Sequence, residues 1–279
     1  MLGESRQIGS ASRAPIRQKV YCVVPNPRTF FGEEIHRLCV VSYRLTMTLT
    51  VRRSEERGFA DHGWLVARHS FSFADYHDPA YMGFRSLRVI NQDLVAPGMG
   101  FPPHGHRDME IFTYVLEGAI EHQDSLGNHA TLKPGQIQVM SAGSGVTHSE
   151  YNPSKTDRLH LIQVWIQPNR RGLRPRYAEW TPAPQQLASP KVLIISSDGR
   201  DGSAHISQDA DVYRIKTNSA GTISHELREG RGLWFQLIGG RGEVCRLTLS
   251  PGDAVSSEDA GSFVFRSEGP VEGLLFDLA

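Results

Sequence analysis

The punctuation of this chain constrains its fold more than any other feature. From Met47 to about Gln167, apolar runs one strand long are separated by turn residues, and no helical period persists. Residues 86–91 form one run. Residues 110–116 form another, in which Ile111, Thr113 and Val115 alternate with Phe112 and Tyr114. Glu117-Gly118 marks a turn and 119–123 returns from it. Asp124-Ser125-Leu126-Gly127-Asn128 reads as a loop, and Lys133-Pro134-Gly135 as a tight turn with proline ahead of glycine. Residues 136–140 follow, then the glycine-rich 142–145, then 158–167, the longest β-rich run. Many short strands at this spacing predict a sandwich or barrel. Pro168, Pro175, Pro182, Pro184 and Pro190 predict an irregular connector over 171–190. The strand pattern resumes at Lys191 and continues to 273–278. Ser250-Pro251-Gly252-Asp253 repeats the turn at Lys133-Pro134-Gly135-Gln136, as expected of a duplicated β-barrel unit.

The 279 residues suit two domains. Thirty basic residues balance thirty acidic ones, which removes the electrostatic case for direct nucleic-acid or membrane-surface binding. No apolar run approaches the roughly 18 residues of a membrane-spanning helix. Cys22, Cys39 and Cys245 have no metal-ligand spacing. Three cysteines also make a poor disulfide framework, so a reducing cytoplasm is the expected compartment. Residues 1–46 carry seven Lys/Arg against three Asp/Glu and show no lasting period. They are expected to be a disordered extension or sequence upstream of a true start at Met47, where Met-Thr-Leu-Thr-Val-Arg begins to alternate like a first strand.

Two short motifs carry the chemistry. His104-Gly105-His106 and His148-Ser149-Glu150 each place two metal-binding side chains two residues apart, which on a strand aims both at one point. Three imidazoles and a carboxylate suffice to hold a divalent transition ion with coordination positions left open. A lone His-x-His arises readily by chance in a chain with 12 histidines. Its surroundings matter: Gly98 stands six residues before His104, Pro102 and Pro103 stiffen the approach, and Gly143-Ser144-Gly145 precedes His148 with Asn152 four residues after it. These are the two halves of the cupin signature, and cupins are double-sheet jelly rolls. For the carboxylate ligand, Glu110, four after His106 and of the same parity as 104 and 106, competes with Glu150. Spacing does not separate them. The other reading of Glu110 is a carboxylate behind a ligand, orienting a histidine.

The stretches 104–118, 121–128, 138–152 and 159–166, with Asp-His-Gly-Trp-Leu at 61–65, His-Ser-Phe-Ser-Phe-Ala-Asp-Tyr at 69–76 and Leu-Leu-Phe-Asp-Leu at 274–278, resemble the pirin family. The resemblance runs from about residue 48 to the end. It implies an all-β bicupin with few short helices: a metal-binding cupin over 47–170 and a metal-free cupin over 191–279. It assigns the ligands to His104, His106, His148 and Glu150 and moves Glu110 behind them. The implied metal is one divalent ion, usually Fe(II), with Zn, Mn, Ni, Co or Cu tolerated.

The resemblance also implies quercetin 2,3-dioxygenase chemistry, in which a flavonol ring opens with O2 and releases CO, with Glu150 as the base toward the flavonol hydroxyl. Phe112, Tyr114, Met99, Phe101, Met140 and Trp165 are candidate cavity walls, of which about half should face away by strand parity. The competing class is a metal- or redox-dependent regulator that binds a protein partner, a reading carried by family analogy. A monomer is expected.

Overall fold

The structure, a computed structural model, describes residues 17–25 and 43–279. It is an all-β protein of two jelly-roll cupins, with one α-helical turn at Pro184–Leu187 and two 3-10 turns among the described residues. In the first cupin a seven-stranded sheet runs in the spatial order Arg176–Trp180, Ile137–Ser141, Glu110–Glu117, Leu159–Ile166, Leu87–Val95, Leu65–His69, Gly58–Asp61. Facing it is a four-stranded sheet of Gly100–His106, Val146–Tyr151, Ile120–Asp124 and His129–Leu132. The second cupin repeats the plan with an eight-stranded and a four-stranded sheet. No helix among the described residues is long and apolar enough to cross a membrane.

Alternation along the strands sorts side chains between two interiors. Phe112, Tyr114, Ile162, Val164 and Ile166 face the second cupin and share one core with Val212, Leu274, Phe276 and Leu278. Full burial of each such side chain contributes about 1.5–3 kcal/mol, so the two cupins are joined by core rather than by a tether. The Tyr114 hydroxyl donates to the Glu272 carboxylate across this junction. Burial and that negative charge push the Tyr114 phenol above its ordinary range. Val115, Leu159 and Leu161 pack instead with Ile120 and Leu132 of the facing sheet, inside the first cupin.

The strand boundaries differ from the sequence expectation in three places. Tyr43–Arg52, expected to open the first cupin at Met47, pairs with Ala254–Ser257 of the second. Its buried Met47, Leu49 and Val51 join the core around Phe235, Phe263 and Phe265. Alternation predicts a strand there but is silent on which sheet accepts it. Arg176–Trp180, inside the expected connector, is the edge strand beside Ile137–Ser141. Lys19–Pro25, placed by the sequence reading outside the fold, pairs antiparallel with Tyr43–Arg52. The remainder of the expectation for residues 1–46, including Cys39, lies outside the described residues.

The cysteine expectation is also corrected. Cys22 and Cys245 form a disulfide across a separation of 223 residues, tying this first strand to the second cupin. Counting cysteines does not reveal that two distant ones meet at a sheet edge. Peptide mapping without reductant is expected to recover the Cys22 and Cys245 peptides as one linked species that separates on reduction. Cys22→Ser is expected to lower stability in denaturant titration by about 2–4 kcal/mol. Free thiols at both positions would contradict the pairing.

Candidate metal centre

The antiparallel pairing of Gly100–His106 with Val146–Tyr151 builds the site. His148 lies directly opposite His104, and two residues on, Glu150 lies opposite Phe101. The two-against-three step is a bulge at Pro102-Pro103, which have no N–H to offer the ladder. The bulge leaves the Pro102 carbonyl free to accept from His104 Nδ1 at 2.8 Å. His104 Nε2 is then the nitrogen with the lone pair, and it sits 3.1 Å from His148 Nε2. His106 completes the group: ligand nitrogens of His104, His106 and His148 lie within 4.8 Å of one another. The His106 ring also meets the edge of Trp165 at 4.9 Å.

Glu150 is 1% exposed and is gripped from the facing sheet. Thr113 Oγ1 donates to its Oε1 at 3.1 Å, Gln138 Nε2 donates to the same oxygen, and Gln163 Nε2 donates to Oε2 at 3.0 Å. These donors form a polar row across the strands: Gln138 opposes Thr113, Thr113 opposes Gln163, and Gln163 opposes Asn91. Asn91 in turn opposes His69, whose Nδ1 lies 2.8 Å from the Asn91 Oδ1. Oε2 of Glu150 carries one donor against two on Oε1, so it keeps a lone pair for a proton or a ligand. Asp93, on the neighbouring strand, is buried with no partner on Oδ1.

Burial sets the protonation states. It pushes His148 down to about 3, assisted by the neighbouring His104, His106 and His122 rings, and His106 down to about 4, assisted by His104. Both are therefore unprotonated at neutral pH, as metal binding requires. Burial pushes the Glu150 carboxyl up to about 7 against the pull of its three donors, and Asp93 to about 7, with the Glu150 charge adding to burial there. Unprotonated imidazoles converging beside a buried carboxylate, with no cationic side chain among them, fit a divalent ion.

His122 was not foreseen. It is fully buried opposite Glu150, and its ligand nitrogen groups with that of His148 and a carboxylate oxygen of Glu150 within 4.8 Å. The signal was the alternation of His122 with Asp124 in a strand directed at the same interior. Thr113, Gln138 and Gln163 were missed too, although Thr113 and Gln163 are polar residues at apolar-parity positions of strongly apolar strands.

Glu110, expected behind a ligand, is in neither group. It accepts from Ser141 Oγ at 2.5 Å and stands on the face of Phe112 and Tyr114. The parity that linked it to His104 and His106 is reset by the intervening turn, where Asp108 adopts φ 50°. Among the candidate walls, Phe112 and Tyr114 point into the core between cupins, Met99 is exposed, and Phe101 packs on Trp64. Met140 and Trp165 pack with Ile111, Ala142 and Val146, and the Trp165 ring reaches His106. A shallow cleft of about 390 Å³, lined by Gly105, Arg107, Ser125, Gly145, Val146 and Thr147, reaches the cluster only at His106. A larger cavity of about 740 Å³, beside Arg214 and Lys216, shares no residue with it.

Residues 50–166 match the Pirin family profile, and 193–278 match that of the Quercetinase C-terminal cupin domain. The quercetin 2,3-dioxygenase of Escherichia coli strain K12 is 44% identical over 228 residues, spanning 82% of this chain and 97% of that protein. The chain belongs to the pirin family. A pirin-like protein of Caulobacter vibrioides is 39% identical over 227 residues, 81% of this chain and 97% of its own. The crystal structure of the bacterial pirin YhhW from Escherichia coli, in complex with nickel(II), superposes on this pirin with a TM-score of 0.78 at 44% identity, over 82% of this chain and 98% of that one. A quercetin 2,3-dioxygenase structure from Acinetobacter baumannii, at 17% identity, TM-score 0.67 and coverage of 82% and 78%, shares the fold.

The grip on Glu150 has a pH signature. The carboxyl ionises at its ordinary 4.5 in the unfolded chain and near 7 in the fold, so burying it weakens the fold as pH rises through 7. Removing a donor to the charged form raises that value and deepens the loss. Gln138→Leu in the metal-free protein is therefore expected to be nearly neutral at about pH 5. Above about pH 8 it is expected to lose on the order of 1.5–3 kcal/mol, read by denaturant titration at both values. An equal penalty at both would contradict the charged hydrogen bond.

Proposed function

We propose that this pirin is a metal-dependent dioxygenase of the quercetin 2,3-dioxygenase type, with one divalent ion, Fe(II) by preference, held by His104, His106, His148 and Glu150. The observation that carries the reading is the approach of the His104 and His148 Nε2 atoms to 3.1 Å, beside a buried carboxylate whose Oε2 carries a single donor. The nickel(II) complex of the 44% identical Escherichia coli pirin supports a divalent ion in this family. The names of the relatives support a flavonol and O2 as substrates.

Bound there, a divalent ion would supply a Lewis-acidic centre with positions open to an oxygen chelate and to O2. The residues of the chain do the rest. His104 is held in one tautomer by Pro102, so it need not reorganise. Glu150, on leaving the ion, would accept the flavonol hydroxyl proton at Oε2, the oxygen that carries a single donor. Thr113, Gln138 and Gln163 fix its orientation. Trp165, edge-on to the His106 ring, gives the cluster an apolar flank. The reaction opens the flavonol ring with O2 and releases CO.

Iron-loaded protein is expected to consume quercetin under air with stoichiometric CO release, and to carry about one ion per chain by elemental analysis. His104→Ala is expected to lose most of the metal and at least a hundredfold in turnover (about 3 kcal/mol) with unchanged far-ultraviolet circular dichroism. A loaded wild type that leaves quercetin intact would refute the dioxygenase reading and favour a metal-dependent binding role.

A further inference from the structure

Behind the ligand imidazole of His148 stands a second, fully buried one. His122 Nδ1 lies 3.5 Å from His148 Nδ1, a long contact, and His122 Nε2 lies 3.2 Å from Asp124 Oδ2. The ring is stacked on Tyr177 at 4.7 Å between centroids with planes 20° apart. Asp124 is fixed in turn: its Oδ1 accepts from the backbone N–H groups of Leu126 and Asn128, and the Asn128 side-chain amide donates to both of its oxygens.

The direction of every proton in this chain follows from its ends. An ionised Asp124 only accepts, so His122 Nε2 must carry hydrogen. In the neutral ring His122 Nδ1 is then an acceptor, and the neighbouring nitrogen, His148 Nδ1, must be the donor. That leaves the His148 lone pair on Nε2. From the other side, the Pro102 carbonyl also only accepts, which puts the His104 lone pair on Nε2. Two acceptor-only oxygens thus drive two lone pairs together at 3.1 Å, a conflict that a cation relieves. Reversing the chain would face the His122 lone pair with the Asp124 carboxylate in a buried site, an uncompensated cost.

We propose that His122 is a positioning residue for the metal centre. It accepts the Nδ1 proton of His148, transmits the anchorage of Asp124, and so locks the His148 Nε2 lone pair toward the ion. The proposal rests on the metal reading above, in which His148 is a ligand. Both ring nitrogens of His122 are used in the chain, so it is not itself a ligand, although it lies within reach of His148 and Glu150.

Two measurements test it. In the metal-free protein, long-range proton–nitrogen correlation is expected to show His148 as the Nδ1–H tautomer. In the second, wild type, His122→Phe, His122→Gln and Asp124→Asn are loaded with Co(II), and affinity is read by chelator competition alongside the visible ligand-field bands. His122→Phe is expected to weaken Co(II) binding about 10–100-fold and to shift the bands. His122→Gln, whose amide oxygen can still accept from His148 and whose amide nitrogen can still donate to Asp124, is expected to recover most of that loss. Asp124→Asn should fall between wild type and His122→Phe. The Nε2–H tautomer of His148, an unimpaired His122→Phe, or a His122→Gln no better than His122→Phe would each overturn the proposal while the metal reading stood. A wild type that takes up no Co(II) would instead sink the metal reading on which it rests.

Discussion

Everything at the site depends on the register between two short antiparallel strands. With His148 opposite His104, two imidazoles meet across the ladder; one residue of slip would put them on opposite faces. The prolines at 102 and 103 do two things at once. They interrupt the ladder where no N–H is available, which brings Glu150 opposite Phe101, and they free a carbonyl that sets the His104 tautomer. The cluster is thus a product of backbone pairing, and the rest of the first cupin holds that pairing in place.

The facing sheet supplies the second half of the constraint. A row of polar side chains, Gln138, Thr113, Gln163 and Asn91, crosses four strands at opposed positions, and the first three close on one carboxylate. A buried carboxylate is costly unless it is hydrogen-bonded, so the row and Glu150 require each other. The second cupin shows the same architecture with a different interior, in which the buried polar residues His225, Asp277 and Arg231 pair with one another. Phe235 packs on Phe263 and Phe265 inside it, with centroids 5.5 and 5.0 Å apart, among leucines and valines. The imidazole cluster and its carboxylate lie in the first interior, and the core the two cupins share fixes one against the other.

Much of this was legible in the residues. Strand alternation and turn signals gave an all-β chain, and the pirin-like segments gave two cupins. Motif spacing brought His104, His106 and His148 to one point. What could not be read was set by contacts between distant segments. The exchange of Tyr43–Arg52 into the second cupin and the Cys22–Cys245 link depend on which sheet edges meet, and no local pattern encodes that. Glu110 has the sequence parity of His104 and His106, but the turn at Asp108 restarts the alternation and Glu110 lies in neither ligand group. His122 and the glutamines were passed over because a single buried polar residue has no motif; its partner lies on another strand.

The central claim is that register and tautomer together create one cation site. Anomalous diffraction at the absorption edge of the loaded metal, from crystals of the intact chain, tests it most directly. The account predicts a single strong peak bonded to ring nitrogens of His104, His106 and His148 and to the Glu150 carboxylate, with His122 one step removed. A peak ligated by His122 in place of His104 or His106, or no peak in the first cupin of a fully loaded protein, would contradict it.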